Sequence, residues 1–224
     1  MKVKWLGHAS FLVSSKLGKK VITDPYTTVQ GIKHGEINEV ADAVTVSHGH
    51  FDHSGTALPG QPTIVNGKEV IALGGRKLVK GIDFSAFASY HDPTQGSQRG
   101  ENAIFCFTLD GVKVCHLGDL GQVLSDDQIA QISTDQAPVH VLLTPVGGTY
   151  SLNAVEAWAL AQKMKPNIVI PMHFRNPKVD FHIAPVDDFL KGKEGVKRLG
   201  TSEVEVDLAQ LPALIEIWVL NPAL

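Results

Sequence analysis

The nine residues SHGHFDHSG, at positions 47–55, place three histidines and an aspartate within six consecutive positions, directly behind the apolar run AVTVS. Side chains two residues apart in an extended segment point to the same side, so His48 and His50 can reach one cation. Asp52 and His53 follow at a spacing that turns them toward a neighbouring position. Imidazole and carboxylate suit zinc and other first-row divalent ions, and together the four groups are too many for one ion. The alternative is a solvated loop in which Asp52 only caps a following helix.

The size and composition of the chain indicate a folded protein. It has 224 residues, of which 43% are hydrophobic and 19% charged, and a chain of this length buries most of its unfolded surface. No Pro- or Ser-rich linker divides it, so we expect a single domain over residues 1–224. The N-terminal MKVKWLGHASFLVSS alternates apolar and polar residues and lacks the continuous apolar segment of a signal peptide. We therefore expect a cytoplasmic protein that does not bind a membrane.

Charge and cysteine content exclude several functional classes. A net charge of -3 offers no basic field for a nucleic-acid backbone, so we expect a small-molecule substrate and no nucleic-acid partner. Two cysteines exclude a disulfide-dense scaffold and a four-cysteine zinc site. A hairpin turn at Asp110-Gly111 would make Cys106 and Cys115 reduced neighbours across the ladder. The apolar segment ALIEIWVL, residues 213–220, could form an exposed edge strand and support a homo-oligomer.

The order of elements predicts two α/β halves. Short strand-like runs open the sequence, and SDDQIAQI, with Ser125 as N-cap, and NAVEAWALAQKMK are typical of helices. The stretch around Gly74-Gly75 is interpreted as a connection between strands. Each half runs from a hairpin ending in an aspartate, Asp24 or Asp119, to a strand, a loop rich in Gly or His, and a helix. This similarity predicts two sheets packed against each other with helices outside.

The motif HGHFDH resembles the signature of the metallo-β-lactamase-fold hydrolases. The similarity spans nearly the whole chain and is strongest to the branch that includes the ascorbate-6-phosphate-lactonase-like proteins. The blocks that carry it are VKWLGHASFLV, ITDPY, SHGHFDHSG, SYHDPTQGSQRGEN, HLGDLG, TPVGGTYS and VIPMHF. The resemblance implies an α/β protein with the four-layer αβ/βα sandwich fold and a metal-dependent hydrolase activity.

The resemblance also implies two metal sites joined by a bridging carboxylate. Three of the implied ligands lie outside the histidine motif, each at the end of a strand-like run, where a sandwich can gather a site. Taken alone, each of these would be a turn aspartate or a structural histidine. The implied ligands are His48, His50 and His91 for one ion, Asp52, His53 and His173 for the other, and Asp119 as the bridge.

Two further residues are candidates for supporting roles. His8, in LGHAS, either faces the site or is a satisfied core histidine. Asp24, in TDP, is predicted to accept a hydrogen bond from the free ring N–H of a ligand histidine and so fix its tautomer. The alternative for Asp24 is a plain turn residue before Pro25.

Candidate substrate contacts lie in two loops beside the presumed site. Arg99 and Asn102 lie in SQRGEN, and Thr149 and Tyr150 lie in GGTYS. Each could contact an anionic or carbonyl substrate, since Arg offers a fork of donors and Tyr a phenolic hydroxyl. Loop scaffolding is the equally simple interpretation.

The ligand set predicts hydrolysis by a metal-activated water. We expect two divalent ions, with zinc as the default, although Mn²⁺, Fe²⁺ or Ni²⁺ would also be held. His50 stands where the diiron flavoprotein branch has an acidic residue, which disfavours a redox role. Two ions roughly 3.5 to 4 Å apart lower the pKa of a shared water toward 7. The predicted mechanism is attack by the bridging hydroxide, oriented by Asp52, with the leaving group protonated by solvent or His8.

Several substrates and one non-enzymatic role fit this motif. A lactone, an ester or a small phosphorylated metabolite is the first expectation, because substrate choice is carried by loops and not by the fold. A phosphodiester, including RNA, is the alternative, and a β-lactam is the weakest. A non-enzymatic metal-binding scaffold would need neither a bridging carboxylate nor open coordination positions.

Overall fold

Two sheets dominate the structure, a computed structural model that describes residues 1–28 and 31–224. The strands of the first sheet are β1 (Lys2–Gly7), β2 (Ser10–Ser14), β3 (Lys20–Thr23), β4 (Ala43–Val46), β5 (Thr63–Asn66) and β13 (Glu203–Glu205). Those of the second are β6 (Arg76–Val79), β7 (Ile82–Tyr90), β8 (Glu101–Leu109), β9 (Val112–His116), β10 (Val141–Pro145), β11 (Ile168–Met172), β12 (Val196–Arg198) and β14 (Glu216–Val219). The helices are α1 (Gly67–Ala72), α2 (Asp126–Ile132), α3 (Ala154–Met164) and α4 (Val186–Leu190).

Both sheets combine an antiparallel hairpin with parallel strands. The first has the order β13-β1-β2-β3-β4-β5, in which β2 and β3 are antiparallel and β3, β4 and β5 are parallel. The second has the order β12-β14-β11-β10-β9-β8-β7-β6, in which β8 and β9 are antiparallel and β9, β10 and β11 are parallel. The predicted similarity of the two halves is therefore present in the strand pairing.

The two halves differ in the segments that come after β4 and β10. In the second half, β10 leads into α3, as predicted. In the first half, turns and bends come after β4, and in the described chain no helix begins before Gly67. The interpretation of Asp52 as the cap of a following helix is therefore wrong.

The core lies between the two sheets. Trp5 and Phe11 of the first sheet and Phe84 and Phe105 of the second belong to one cluster of buried side chains, each at most 1% exposed. Burying an aromatic side chain of this size contributes about 1.5 to 3 kcal/mol of transfer free energy. The sheets are thus fixed face to face, which fixes the relative positions of the loops at their edges.

Helix α2 begins at the predicted cap Ser125, and α3 begins at Asn153, which was not predicted as a cap. The Ser125 hydroxyl accepts from the backbone N–H of Gln128 at 3.2 Å, and Asn153 caps α3 in the same way, each within a reciprocal capping box. The C-terminal cap of helix α3 is Lys165, which takes the left-handed conformation with φ of 51°. Across the described ranges, no helix has the length and apolar character needed to cross a membrane.

Two predictions about strands were wrong, and one was confirmed. The stretch interpreted as a connection contains α1 and β6, which are too short for a clear periodic signal. The C-terminal strand β14 is not an edge, because it lies between β12 and β11; the oligomer stays a prediction without that support. The hairpin register is confirmed, since Cys106 pairs with Cys115 and both thiols are buried and free.

Candidate metal centre

Most of the predicted site residues lie at the carboxyl ends of strands, whereas Asn102 lies at the start of β8 and Arg99 just before it. In each sheet the strands that end at site residues run in the same direction, so these ends meet at one edge. The backbone N–H of His173 donates to the His8 carbonyl at 3.2 Å and ties the two sheets together there. The positions are His8 after β1, Asp24 after β3, residues 48–53 after β4, His91 after β7, Asp119 after β9, Thr149 and Tyr150 after β10, and His173 after β11.

Seven of these side chains form two groups of potential ligands. Within each group the candidate ligand atoms lie within 4.8 Å of one another. The open group is His48, His50 and His91, whose side chains range from buried to exposed. The buried group is His8, Asp52, His53 and His173, whose side chains are all buried. The structure thus brings together both predicted sets and adds His8 to the second.

Asp119 lies between the two groups. Its Oδ2 is 3.2 Å from His91 Nε2 in the open group, and 3.1 Å from His53 Nε2 and 3.3 Å from His173 Nε2 in the buried group. Burial alone would raise the pKa of this carboxyl, but His173 and His53 hold it well below its usual range. Asp119 is therefore a carboxylate at neutral pH, placed within 3.3 Å of histidines of both groups.

A short chain of hydrogen bonds orients His48. The Ser47 hydroxyl donates to Asp24, so its oxygen accepts from His48 Nδ1 at 2.9 Å. The Nε2 lone pair of His48 then points to the open group, where it lies 3.0 Å from His50 Nδ1. Burial lowers the pKa of His48 to about 3, so its ring is neutral at pH 7. A neutral imidazole with a directed lone pair is the form that binds a metal ion.

Asp24 holds His53 in the same manner. Its Oδ2 accepts from His53 Nδ1 at 2.9 Å, and its Oδ1 accepts from the Ser47 backbone N–H at 2.8 Å. His53 Nε2 is thereby directed toward Asp119. Burial would lower the pKa of His53, but the carboxylates of Asp119, Asp24 and Asp52 raise it well above its usual range. Because both Asp24 oxygens already accept hydrogen bonds, the side chain is placed to support a ligand histidine, as predicted.

Several buried polar atoms at this edge lack a hydrogen-bond partner among the described residues. Buried donors and acceptors are almost always paired, so these unpaired atoms are notable. The Nε2 atoms of His8, His91 and His173 face Asp52 or Asp119, so their Nδ1 atoms point away from the two groups. His53 Nε2 faces Asp119, and the set of imidazole nitrogens and carboxylate oxygens around it fits a divalent cation. The atoms are His8 Nδ1, His53 Nε2, His91 Nδ1, His173 Nδ1 and Asp119 Oδ1.

His8 faces the site. Its Nε2 lies 3.1 Å from Asp52 Oδ2, and its ring centroid is 4.3 Å from that of His173. Burial lowers its pKa to about 3, so the ring is neutral at pH 7. His8, Asp24 and His173 all have φ between 36° and 50°, a conformation that costs about 1 to 3 kcal/mol at a non-glycine residue. Such strain concentrates at functional sites, where the surrounding structure enforces it.

Asn102 supports the backbone that carries Asp119. Its Oδ1 accepts from the Asp119 backbone N–H at 3.0 Å, and its Nδ2 donates to the Leu117 carbonyl at 2.9 Å. Gly118 has φ of 57°, and a side chain there would press on Asn102 and Ser47. The geometry fits the scaffolding interpretation of Asn102.

Sequence reasoning missed Asp92, which organises the loop before β8. Its carboxylate accepts backbone N–H groups from Thr94 at 2.9 Å, Gly96 at 3.0 Å, Gln98 at 3.0 Å and Arg99 at 2.7 Å. The Thr94 hydroxyl, which donates to Asp92 Oδ1 at 2.7 Å, and these backbone bonds hold its pKa well below the usual range, against the opposing effect of burial. The run Asp-Pro-Thr-Gln-Gly is typical of a turn built on an aspartate, so this signal was present in the sequence.

Aromatic residues surround the mouth of the site. A cavity of about 350 Å³ reaches Asp52 and Asp119 and is walled by Phe51, Tyr150 and Phe181. The Phe181 ring centroid lies 6.4 Å from that of Phe51 and 6.5 Å from that of Tyr150. Phe51 and Phe181 were not predicted, because an isolated Phe carries no sequence signal of function.

The predicted substrate residues of the second loop have different environments. Tyr150 lines the cavity together with Arg99, whose guanidinium carbon lies 5.6 Å from the Tyr150 ring centroid. Thr149 is exposed, has φ of 60° and does not line this cavity. Thr149 therefore shapes the turn that presents Tyr150.

Known proteins share these motifs and this fold. The family profile described as "Beta-lactamase superfamily domain" matches residues 2–173. A UPF0173 metal-dependent hydrolase of Methanoculleus marisnigri is 32% identical over 192 residues, covering 78% of this chain and 81% of that protein. This chain belongs to the UPF0173 metal-dependent hydrolases of the beta-lactamase superfamily.

Further relatives support the same family and fold. The UPF0173 metal-dependent hydrolase of Pelotomaculum thermopropionicum is 27% identical over 92% of this chain and 96% of its own length. A crystal structure from Thermotoga maritima, assigned to the Zn-dependent hydrolases of the metallo-beta-lactamase superfamily, has 31% identity and a TM-score of 0.73. It covers 98% of this chain, with 97% of its own length matched. The predicted metallo-β-lactamase fold and the metal-dependent hydrolase class are thus confirmed.

Proposed function

We propose that this hydrolase uses two divalent ions to cleave a small ester, lactone or phosphorylated metabolite. The observation that carries the proposal is Asp119, whose single Oδ2 lies 3.1 to 3.3 Å from histidines of both the open and the buried group. A carboxylate shared in this way is suited to bridge two ions. The mixed imidazole and carboxylate set favours zinc, and the description of the Thermotoga maritima neighbour as Zn-dependent supports that choice.

Different side chains would hold the ions, orient the reacting water and direct the ligand nitrogens. Two bound ions would supply an activated water and polarise the substrate oxygen. Asp52, which lines the cavity, would orient that water, and His8 at 3.1 Å would hold the Asp52 carboxylate in place. Asp24 and Ser47 would keep the ligand nitrogens of His53 and His48 directed inward.

The site dimensions support a small substrate. The cavity of about 350 Å³ is near the lower end of the range for small-molecule sites. The net charge of -3 disfavours a polynucleotide, whose binding depends on neutralised phosphates. The cytoplasmic location and the absence of a nucleic-acid partner are part of this proposal.

Metal content tests the two-ion centre directly. Purified protein saturated with zinc and freed of excess should retain close to two ions per chain by mass spectrometry. Asp119→Asn should lose at least one, whereas Asp83→Asn, at an exposed position on β7, should keep both. A wild-type protein that saturates at one ion would contradict the dinuclear proposal.

Activity separates the hydrolase from its alternatives. Metal-loaded protein should turn over at least one member of a panel of lactones, carboxylic esters, thioesters and phosphorylated sugars. Turnover confined to bis(4-nitrophenyl) phosphate or RNA would favour the phosphodiesterase instead. No turnover with zinc, manganese, iron or nickel would favour a metal-binding scaffold.

A further inference from the structure

Arg99 is a cation without an ionic partner at the mouth of the site. Lys68 and Arg99 are the lysine and arginine residues that line the two cavities of this region. Lys68 pairs with Glu101 at 3.1 Å. Within the described ranges, the Arg99 guanidinium has no carboxylate at ion-pair distance and no side-chain hydrogen bond, and it packs only over Tyr150. A guanidinium offers five donors in a planar fork, so an unsatisfied one beside a reaction centre is suited to an anion.

The position of Arg99 places it within reach of any substrate. Arg99 and His50 line both the cavity over the metal centre and a larger one of about 670 Å³ between β7, β8 and α1. A molecule that reacts between Asp52 and Asp119 occupies a cavity that Arg99 also lines. Phe51 and Phe181 line the same cavity.

The backbone beneath Arg99 is already fixed. The Asp92 carboxylate accepts the Arg99 N–H at 2.7 Å and the Gln98 N–H at 3.0 Å, and the His91 N–H donates to the Gly100 carbonyl at 3.0 Å. The loop that carries Arg99 is thus tied directly to a predicted metal ligand. Less conformational entropy is lost on binding when the binding group is held in this way.

We propose that Arg99 binds a carboxylate or phosphate group of the substrate, so that the enzyme acts on small anionic esters or lactones. The apolar part of such a substrate would lie against Phe51, Tyr150 and Phe181. The inference rests on the proposed hydrolysis at this centre, and it narrows the substrate class to molecules with an anionic group separate from the bond that is cleaved.

Binding of matched benzoates tests Arg99 without requiring turnover. Zinc-loaded protein is titrated calorimetrically with isophthalate, 3-phosphonobenzoate and 3-carbamoylbenzoate, which share one carboxylate and differ in the second group. Isophthalate and 3-phosphonobenzoate should each bind roughly 10- to 100-fold more tightly than the amide, the gain expected from a charge-assisted hydrogen-bonded pair. The ligand with the higher affinity, isophthalate or 3-phosphonobenzoate, shows whether a carboxylate or a phosphate group is preferred.

Variants assign this preference to Arg99. Arg99→Met should reduce the ratio of affinities to near one, and Arg99→Lys should keep part of it, because lysine retains the charge and loses the fork. Arg76→Met, at an exposed position on β6, removes the same charge elsewhere and should leave the ratio unchanged. Zinc content is measured for each variant to show that the metal centre is intact.

Two results would overturn the inference: a wild-type ratio near one, or a ratio that survives in Arg99→Met. Hydrolysis of 3-acetoxybenzoate against 3-acetoxybenzamide separates this inference from the proposed function. Cleavage of both esters at equal kcat/KM, with equal loss in Arg99→Met, would contradict anion recognition and leave hydrolysis standing. Tighter binding of the ligands with a second anionic group, without turnover of any ester or lactone, would contradict the proposed hydrolysis and leave anion recognition standing.

Discussion

The open and buried ligand groups have similar chemistry but different surroundings. His50 of the open group is exposed, and its ring nitrogen lies 3.0 Å from that of His48. His53 of the buried group is fully enclosed, with Asp24 at 2.9 Å on one ring nitrogen and Asp119 at 3.1 Å from the other. The buried group thus resembles part of the core, whereas the open group resembles a binding surface.

This difference indicates that the buried group contributes to the fold as well as to the chemistry. Asp52 of this group pairs with His8, and His53 pairs with Asp24 and Asp119, in largely buried positions where an unpaired charge is costly. The open group has solvent as an alternative partner. We expect ligand substitutions in the two groups to affect stability unequally and metal content in similar ways.

The largest contrast should appear in the stability of the metal-free protein. His53→Ala removes the imidazole that lies between the buried carboxylates of Asp24 and Asp119, and breaking this buried pairing should lower the free energy of unfolding by about 3 to 5 kcal/mol. His50→Ala, at an exposed position, should change it by less than about 0.5 kcal/mol. Urea denaturation of both variants measures the difference. Equal destabilisation would show that the two groups contribute alike to the fold.

Metal affinity should respond next, through the carboxylate behind the buried group. Asp24→Asn keeps the shape of the side chain and removes the charge that orients His53, and losing such a support costs roughly 10- to 100-fold in metal affinity. Competition with a chromophoric chelator measures the two zinc affinities separately. Asp42→Asn is the matched control, since Asp42 accepts only the Lys20 N–H near the far end of β3. An unchanged affinity for the tighter ion would remove Asp24 from this role.

The clustering of the proposed ligands could be predicted partly from local spacing and strand ends and partly from the family resemblance. His48, His50 and Asp52 are recognisable from the motif alone, and Asp119 follows a strand that its hairpin turn makes visible. Apart from Asp24, the residues that support them could not be found in this way. Ser47 and Asn102 are common polar residues whose roles depend on which loop of the other sheet lies opposite, and β14 is enclosed only because β12 crosses to its far side.

Chelation should separate the two ions in time. The open group has an exposed histidine, so a chelator can replace its ligands one at a time, while the buried group is shielded by the Phe181 ring, 5.5 Å from that of His8. Zinc-loaded protein treated with excess EDTA should pass through a species with one ion per chain, followed by slower loss of the second. Phe181→Ala should accelerate the second phase, with Phe87→Ala, a partly buried residue of β7 away from the cavity, as the control. Release of both ions in a single phase would contradict an unequal pair.

The smallest expected effect concerns Ser47, which connects the two groups. Its hydroxyl donates to Asp24 and accepts from His48 Nδ1. Ser47 therefore links the carboxylate that holds His53 to His48 of the open group. Ser47→Ala removes one hydrogen bond to a ligand, which corresponds to a loss of about tenfold in the weaker zinc affinity. The tighter affinity should change less, because Asp24 still accepts from His53. The same competition assay applies, and a larger loss at the tighter ion would mean that Ser47 supports His53 through Asp24 more than it supports His48.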